Sequence, residues 1–336
     1  MPKTSTKSKT VSRSDSLLPY VIVNPKSASG ATRSKWSAIA SDLRTHFGPF
    51  SVAFTLTAGD GTRLARLAAE SGRKFIIACG GDGTINEVAN GILRSGQPCE
   101  LGILPSGTGG DFRRTLQIPS STRESARALR TGRTMLMDVG KVTYIDHADV
   151  SAERYFLNIS SFGLAASIIE RVKRSTSLSW LPAHSVRGRA SFALSTLQEV
   201  AGLDATLVKI RIDGGEEKTL GTINFCVANA RYFGGGMKIA PDAKINDGFL
   251  DLVNIGDIRT AKILLNAFTL YRGTHLELSE VNHTLAKRVE ARASDASREI
   301  HIEIDGELPG KLPAVYEIVP KALRIRVPGS RGGSGC

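Results

Sequence analysis

Short apolar runs alternate with helix-forming patterns over residues 17–142, and this alternation constrains the fold more than any other feature. The runs have the length of buried strands and stand at Tyr20–Val23, Val52–Leu56, Phe75–Ala78 and Leu101–Leu104. Apolar residues at helical spacing predict helices between and after them, over 32–46, 62–70, 84–94 and 121–131. Strands that alternate with helices form a parallel sheet with helices on both faces. The sequence therefore predicts a doubly wound, Rossmann-like α/β domain over residues 17–142.

Beyond about residue 142, strand-like runs dominate the sequence. They lie at 154–159, 206–213, 219–229, 249–255, 281–292, 298–304, 314–319 and 322–327, with helical patterns at 164–174, 187–200 and 257–271. The alternation of polar and apolar residues in Arg298–Ile304 is typical of an antiparallel sheet with one solvated face. We predict a mainly β, sandwich-like domain over 143–327, and the pattern leaves open whether its last strand returns to the first domain. The cleft between the two domains is the expected active site.

The two ends and the four cysteines exclude several classes of protein. Residues 1–16 are rich in Ser, Thr and Lys and predict a disordered basic arm, and residues 328–336 predict a flexible tail. No run approaches the ~18 apolar residues of a transmembrane helix, and the start of the chain lacks the apolar segment of a secretory signal. The cysteines stand too far apart for a disulfide framework or a paired-cysteine zinc site. A cytoplasmic protein is the expectation.

The chain is basic, with 44 Lys and Arg against 32 Asp and Glu and a formal net charge of +12. Such an excess predicts an anionic partner. Residues 170–190 place five cations around Trp180 and two leucines, a composition that favours reversible attachment to an anionic membrane, although a solvated basic loop is the alternative. Nucleic-acid binding is not predicted, because the chain has neither zinc-finger spacing nor a stripe of stacking aromatic residues.

The motif Gly80-Gly-Asp-Gly-Thr-Ile-Asn-Glu87 lies between a predicted strand and a predicted helix. Three glycines let the backbone approach a phosphate closely, and the helix N-terminus adds unpaired N–H groups and a positive dipole end. Asp82 can hold a metal ion or a water on it, and Thr84 can cap the helix or contact a phosphate. The motif is not a Walker A loop, because no Gly-Lys-Ser/Thr follows.

Two other loops follow predicted strands of the same sheet. Asn24-Pro-Lys-Ser-Ala-Ser-Gly30 comes after the first strand, and Leu101–Phe112 runs from a strand into a glycine-rich turn with a hydroxyl and a carboxylate. Loops at the carboxyl ends of neighbouring parallel strands share one edge of the sheet. We therefore expect the two glycine-rich loops, Gly80–Glu87 and Leu101–Phe112, to face each other across a nucleotide. Arg113 and Arg114 would then be close enough to neutralise phosphate charge.

Two segments of the second domain carry carboxylates in turns. Asp305-Gly-Glu307 ends a predicted strand, and a plain hairpin turn is the structural alternative to a catalytic role. The segment from Gly234 to Asp251 is loop-like and offers carboxylates and carbonyls, the donors that a hard cation such as Mg²⁺ or Ca²⁺ takes.

Taken together and in this order, the motifs resemble those of the soluble diacylglycerol kinase catalytic-domain family, which also includes sphingosine and ceramide kinases. The resemblance covers about residues 19–327 and rests on Asn24–Gly30, Gly80–Glu87, Leu104–Phe112 and Ala240–Asp251. Gly-Gly-Asp-Gly-Thr alone also occurs in NAD kinases. The number and order of the other matches favour the lipid kinases.

This resemblance implies a role for individual residues of the chain. The implied ATP-binding positions are Asn24, Thr55, Gly81, Asp82, Gly83, Thr84, Ile85, Asn86, Glu87, Gly107, Thr108 and Asp111. A metal loop would use the carboxylate of Asp247 and the carbonyls of Lys244 and Phe249, and Asp82, Asp111 and Asp138 would be tied to the nucleotide's Mg²⁺. The implied general base is Glu307, with Asp305 as the alternative.

One position departs from the family pattern, because Gly110 stands where an asparagine usually precedes Asp111. The resulting expectation is a lipid kinase that uses ATP and Mg²⁺ to phosphorylate a lipid hydroxyl at a membrane surface, with diacylglycerol giving phosphatidic acid. A homodimer is the expected assembly. Kinases of sphingoid, ceramide or phosphatidylglycerol type, an NAD kinase and a non-catalytic nucleotide or lipid sensor remain alternatives.

Overall fold

The computed structural model describes residues 16–107, 109–174, 205–258 and 260–329. The chain divides into two compact units, one formed by residues 1–136 with 323–336 and the other by residues 137–322. We call them unit 1 and unit 2. Unit 1 contains β1 (Tyr20–Val23), α1 (Ala31–Phe47), β2 (Ser51–Phe54), α2 (Asp60–Glu70), β3 (Phe75–Gly80), α3 (Asp82–Ser95), β4 (Glu100–Pro105), α4 (Asp111–Thr115) and α5 (Thr122–Thr131).

The chain passes from unit 1 to unit 2 within β5 (Arg133–Asp146) and returns within β17 (Glu307–Val327). Between them lie β6 (Ser151–Phe156), β7 (Ile159–Gly163), α6 (Leu164–Arg174), β8 (Thr206–Ile212), β9 (Lys218–Thr222), β10 (Asn224–Ala228), β11 (Tyr232–Phe233), β12 (Met237–Lys238), β13 (Leu250–Ile255), α7 (Thr260–Arg272), β14 (Val281–Ala286), β15 (Arg288–Ala293) and β16 (His301–Ile304).

Unit 1 is built on a parallel sheet in the order β2-β1-β3-β4, with the end of β17 added beside β4. Alternate strand residues face opposite sides. Val21 and Ile77 pack with Ile39 of α1 and Leu129 of α5, whereas α2 and α3 pack against each other and on β1 and β3. Helices cover both faces, which confirms the predicted doubly wound domain.

Unit 2 is an antiparallel sandwich whose two layers share one long strand. One layer has the order β14-β13-β10-β7-β16 and ends on residues 307–311 of β17. The other contains β9, β8 and β15, which pairs with residues 314–317 of β17, followed by β5 and β6. Phe156, Phe162, Phe225 and Tyr316 pack in the core that the two layers enclose. The predicted β-sandwich-like domain is thereby confirmed.

Several predicted strands of unit 2 were wrong in extent, and two of these errors share a cause. The runs 219–229 and 281–292 each form two strands, separated at Ile223 and Lys287, and the two halves of each run belong to different layers. The apolar pattern continues through such corners because both layers face the same core. The runs 314–319 and 322–327 conversely belong to β17, and β5 was missed. The predicted helix over 187–200 lies outside the described residues.

Within the ranges that the structure describes, no helix is long and apolar enough to cross a membrane. Trp180 and most of the basic segment 170–190 lie outside those ranges.

Candidate active site

The loops that follow β1, β3 and β4 leave the sheet of unit 1 at the same edge, because the strands are parallel. The strand order reverses between β1 and β3, and doubly wound sheets bind ligands at such a switch point. The side chain of Asn24 donates a hydrogen bond to the hydroxyl of Thr84 at 3.1 Å, which joins the loops after these two strands.

The loop after β3 leads directly into α3. Gly81 has an extended backbone, and α3 begins at Asp82. The N–H groups of a first helical turn have no partner within the helix and lie at the positive end of its dipole. Gly83 is exposed, whereas Thr84, Ile85 and Asn86 are buried. The predicted contacts therefore divide into Gly81–Gly83, which are open to a ligand, and residues that support them from inside.

The two glycine-rich loops touch each other backbone to backbone. A Cβ atom on Gly107 would lie 2.6 Å from the Cα of Gly81, a distance that real Cβ contacts do not reach. Only glycine at Gly107 therefore allows this approach, and the main chains of both loops remain accessible to phosphate oxygens. Main-chain N–H groups that no side chain covers fit the phosphates of a nucleotide. Thr108 lies outside the described residues.

The carboxylate of Asp82 holds the second glycine-rich loop in place. It accepts hydrogen bonds from the N–H groups of Gly110 at 2.8 Å, Asp111 at 3.2 Å and Phe112 at 3.3 Å. Gly110 has a left-handed backbone with φ +67°. Asparagine is among the few other residues that adopt this conformation readily. The glycine at this departure from the family pattern therefore preserves the backbone that carries Asp111.

Asp111 is buried and paired with a nearby cation. Its carboxylate accepts a hydrogen bond from Arg114 at 2.6 Å, and Arg114 also donates to the carbonyl of Gly109 at 2.7 Å. Arg114 thus neutralises this carboxylate within the loop. Arg114 therefore has a structural partner in addition to the role at phosphate that the sequence predicted for it.

A cavity of about 330 Å³ opens on the loop after β1. It is lined by Pro25, Lys26, Ser29, Gly30 and Arg33. Lys26 is held across the cavity's edge by a hydrogen bond from its ammonium group to the carbonyl of Leu56 at 3.0 Å. Two cationic side chains beside the switch point make this edge of the sheet favourable for an anion.

Glu87 and Thr55, both predicted to contact ATP, have structural partners. The Glu87 carboxylate accepts hydrogen bonds from the N–H groups of Gly59 at 2.9 Å and Gly61 at 2.8 Å, at the start of α2. Thr55 is buried, and its N–H group donates to the carbonyl of Val23. Glu87 therefore acts as a cap for a neighbouring helix.

We expect Glu87→Ala to lower the free energy of unfolding by about 1–2 kcal/mol, because two N–H groups lose a charged acceptor. Denaturant unfolding measures this loss, with Glu70→Ala as the control, since Glu70 makes an exposed ion pair at the other end of α2. An unchanged stability combined with a raised KM for ATP would contradict the capping role.

The predicted metal loop of unit 2 is held by the side chains of the buried Asp138 and the exposed Arg231. Asp138 accepts hydrogen bonds from the N–H groups of Gly248 and Lys321, both at 2.7 Å. Arg231 donates to the carbonyl of Ala243 at 2.9 Å. Asp138, predicted to be tied to the nucleotide's Mg²⁺, is thus placed in unit 2, where both its oxygens hold other segments.

The exposed part of this loop carries the predicted donors. Asp247 and Lys244 are exposed, and one Asp247 oxygen accepts a hydrogen bond from the N–H of Phe249 at 3.1 Å. Burial raises the pKa of nearby Asp251, and the charges of Asp247 and Asp242 add to that effect. Carboxylate and carbonyl oxygens in a negatively charged loop fit Mg²⁺. No group of three His, Cys, Asp or Glu side chains suited to a metal ion occurs among the residues described.

The Asp305-Gly-Glu307 turn separates its two carboxylates. Asp305 and Gly306 have φ values of +45° and +90°, as a tight hairpin turn requires. The Asp305 carboxylate accepts hydrogen bonds from the N–H groups of three consecutive residues, Leu157 at 2.8 Å and Asn158 and Ile159 at 3.0 Å. Burial raises the pKa of Asp305 against the opposing effect of these donors. Asp305 thus fastens the turn to the β6–β7 connection.

Glu307 is the accessible carboxylate of the turn. Its side chain is 45% exposed, and it forms an ion pair with Arg154 at 2.6 Å. Of the two candidates for the general base, Glu307 is the one whose oxygens can reach a substrate.

Sequence reasoning missed three kinds of residue around this turn. Arg154 pairs with Glu307, and the buried Glu303 accepts a hydrogen bond from the N–H of Gly306 in the turn. Asn158 and Asn229 each bury a side-chain carbonyl oxygen that has no hydrogen-bond partner in the described part of the chain. For Glu303, the only local signal was its place between Ile302 and Ile304, and the strand pattern assigns such a residue to the solvated face.

Comparisons with known proteins match both units. Residues 19–142 match the model of the diacylglycerol kinase catalytic domain, and residues 160–327 match the YegS C-terminal NAD kinase beta sandwich-like domain. A diacylglycerol kinase of Bacillus subtilis is 30% identical over 279 residues, covering 82% of this chain and 84% of that protein. One of Mycobacterium tuberculosis is 28% identical over 272 residues, covering 81% and 82%.

Solved structures show the same fold. A structure from Bacillus anthracis superposes with a TM-score of 0.71 at 25% identity, over 92% of this chain and 96% of that one. Another, of a diacylglycerol kinase from the same organism, superposes with a TM-score of 0.67 at 23% identity. Fold, family models and relatives agree with the motifs, and the chain belongs to the diacylglycerol kinase catalytic-domain family of lipid kinases.

Proposed function

We propose that this lipid kinase transfers the γ-phosphoryl group of ATP, with Mg²⁺, to the free hydroxyl of diacylglycerol and so forms phosphatidic acid. The observation that carries the proposal is the contact between Gly81 and Gly107, which brings together the two glycine-rich loops that follow β3 and β4, beside the switch point of a doubly wound sheet. The relatives named diacylglycerol kinase support the choice of acceptor.

The loops of unit 1 would bind the phosphates. Phosphoryl transfer passes through a loose transition state, so that catalysis consists mainly of positioning and of stabilising charge on the phosphate oxygens. The N–H groups of Gly81–Gly83 and the N-terminus of α3 are suited to both tasks, because they are fixed in direction before the nucleotide arrives. Lys26 and Arg33, which line the cavity at the loop after β1, add positive charge at the same edge of the sheet.

Two sets of oxygen donors would hold Mg²⁺. Asp82 and Asp111 would face the metal that accompanies the nucleotide, and Asp247 with the carbonyls of Lys244 and Phe249 would hold a second ion. Bound Mg²⁺ would neutralise charge on the phosphates during transfer. Carboxylate oxygens keep lone pairs for a metal or its waters even where they accept N–H hydrogen bonds, as those of Asp82 do.

Glu307 would accept the proton of the acceptor hydroxyl. The lipid oxygen then forms a bond to the γ-phosphorus, the bond from that phosphorus to the bridging oxygen of ADP breaks, and the proton passes to the Glu307 carboxylate. Arg154 orients this carboxylate from one side at 2.6 Å. The partly exposed position of Glu307 suits contact with a substrate that arrives from outside the unit.

The acceptor implies work at a membrane surface. The net charge of +12 and the basic segment 170–190 support reversible attachment to an anionic membrane of the cytoplasmic face. Nucleic acid is not a proposed partner, and self-association into a homodimer is an accompanying proposal.

Transfer of label from γ-labelled ATP tests the function. Purified protein receives Mg²⁺ and mixed micelles of diacylglycerol, sphingosine, ceramide or phosphatidylglycerol, with NAD as a soluble acceptor and EDTA as the metal control. We expect label in phosphatidic acid alone, and none with EDTA. Label in another lipid or in NAD would identify that molecule as the acceptor in place of diacylglycerol. ATP binding without transfer to any of them would favour a nucleotide or lipid sensor.

A further inference from the structure

Glu303 occupies an unusual position for a carboxyl side chain. It lies on β16, and only 6% of its surface is exposed. One carboxylate oxygen accepts a hydrogen bond from the hydroxyl of Ser161 on β7 at 2.7 Å, and the other accepts one from the N–H of Gly306 at 2.5 Å. A single side chain therefore joins the sheet of unit 2 to the residue between Asp305 and Glu307.

The turn is thus held at two points from inside the unit. Asp305 accepts hydrogen bonds from the β6–β7 connection, and Glu303 accepts one from Gly306. Ser160 and Ser161 reinforce Glu303, because the hydroxyl of Ser160 donates to its backbone carbonyl at 2.6 Å. Glu307 begins β17 directly after these two anchors, so the direction of its side chain depends on them.

We infer that Glu303 is a positioning residue for phosphoryl transfer, which sets the placement of Glu307 through its hydrogen bond to the N–H of Gly306. The inference rests on the proposed role of Glu307 as the proton acceptor. Glu303 would touch neither substrate nor nucleotide, and it would act on Glu307 through the turn. Misplacement of a reacting group by about 1 Å can cost 10²-fold in rate.

The surroundings of Glu303 make its charge sensitive to pH. Burial raises the pKa of Glu303 to about 7. The groups that face it are Asp305, Arg154, Cys226 and Tyr316. Burial raises the pKa of the Cys226 thiol and of the Tyr316 phenol, which therefore stay neutral near pH 7. An ionised carboxylate accepts the Gly306 N–H more strongly than a protonated one.

Two substitutions separate this role from a structural one. Glu303→Gln keeps an oxygen for the Gly306 N–H and can donate from its amide to Ser161, but it does not titrate. Glu303→Ala removes the acceptor. Asp213→Asn is the matched control, since Asp213 accepts the N–H groups of Lys287 and Arg288 at another turn of unit 2.

The kinetic test measures kcat and KM for both substrates between pH 5.5 and 9. We expect the wild-type kcat to rise through a limb near pH 7, which Glu303→Gln lacks, because its neutral amide oxygen accepts the Gly306 N–H equally at every pH. The kcat of Glu303→Gln at pH 8 should lie between those of the wild type and Glu303→Ala. Glu303→Ala should lose about 10- to 100-fold in kcat with an unchanged KM for ATP. An unaltered kcat in Glu303→Ala, or the wild-type limb retained in Glu303→Gln, would overturn the inference.

A second readout does not depend on turnover. The amide proton of Gly306, followed by NMR in glycine-labelled protein, should move with a midpoint near pH 7 in the wild type and in Asp213→Asn, but not in Glu303→Gln. A wild-type Gly306 amide that does not titrate contradicts the positioning role. A titrating amide in a protein that phosphorylates no lipid supports the hydrogen bond and contradicts only the proposed function.

Discussion

Replacing Glu307 with glutamine should lower the rate of phosphoryl transfer about 10²–10⁴-fold while nucleotide binding persists. Glutamine keeps the size of the side chain but cannot accept the proton of the acceptor hydroxyl. Asp305 cannot take over, because three backbone N–H groups hold its carboxylate. The comparison needs kcat at saturating ATP and lipid, together with the affinity for a fluorescent ATP analogue.

Stability should change little in this variant. The ion pair between Glu307 and Arg154 is partly exposed, and such pairs contribute about 0–1 kcal/mol. Glu299→Gln is the matched control, since Glu299 is 62% exposed in the same unit, where it pairs with Lys311. Turnover of Glu307→Gln within threefold of the wild type would remove Glu307 from proton transfer.

Adding one methyl group at Gly107 should reduce the affinity for ATP at least tenfold. The new Cβ would lie 2.6 Å from the Cα of Gly81, and a backbone atom cannot rotate aside as the end of a side chain can. The two loops must separate, which displaces the N–H groups proposed to bind phosphate. Such overpacking also costs about 1–3 kcal/mol of stability. Titration with an ATP analogue and thermal unfolding measure the two effects.

The same substitution at Gly221 is the control for this prediction. A Cβ atom there would lie 3.8 Å from that of Ala205, an ordinary contact on β9 of unit 2. We expect Gly221→Ala to bind ATP like the wild type. If Gly107→Ala folds and keeps its full affinity for ATP, the contact between the two glycine-rich loops is not part of the phosphate site.

The organisation of unit 1 follows closely from local sequence. Strands of a parallel sheet are buried on both faces, so they appear as continuous apolar runs that are easily separated from amphipathic helices. Loops after such strands share one edge of the sheet, which is why the loops that carry Asn24 and Thr84 lie in contact. The edge of the sheet that carries the candidate nucleotide site could therefore be predicted from the sequence alone.

The assignment of strands to the two layers of unit 2 could not be predicted in the same way. A strand of period two looks the same whether it continues straight or turns a corner into the facing sheet. The run 281–292 consequently appeared as one strand, although its halves pair with β13 in one layer and with β8 in the other. Only the pairing of strands distant in the chain decides where the corner falls.

For the carboxylates, too, some properties follow from local sequence and others only from tertiary structure. Local sequence determined which residue types stand at the turns and indicated Asp82 directly, whereas Asp305 and Glu307 were singled out by the family resemblance. Tertiary structure alone decided that Asp82 caps the second glycine-rich loop, that Asp305 fastens its turn to the β6–β7 connection, and that Glu307 stays accessible. Motifs reflect short-range backbone geometry, whereas the hydrogen-bond partners of a carboxylate come from segments far away in the chain.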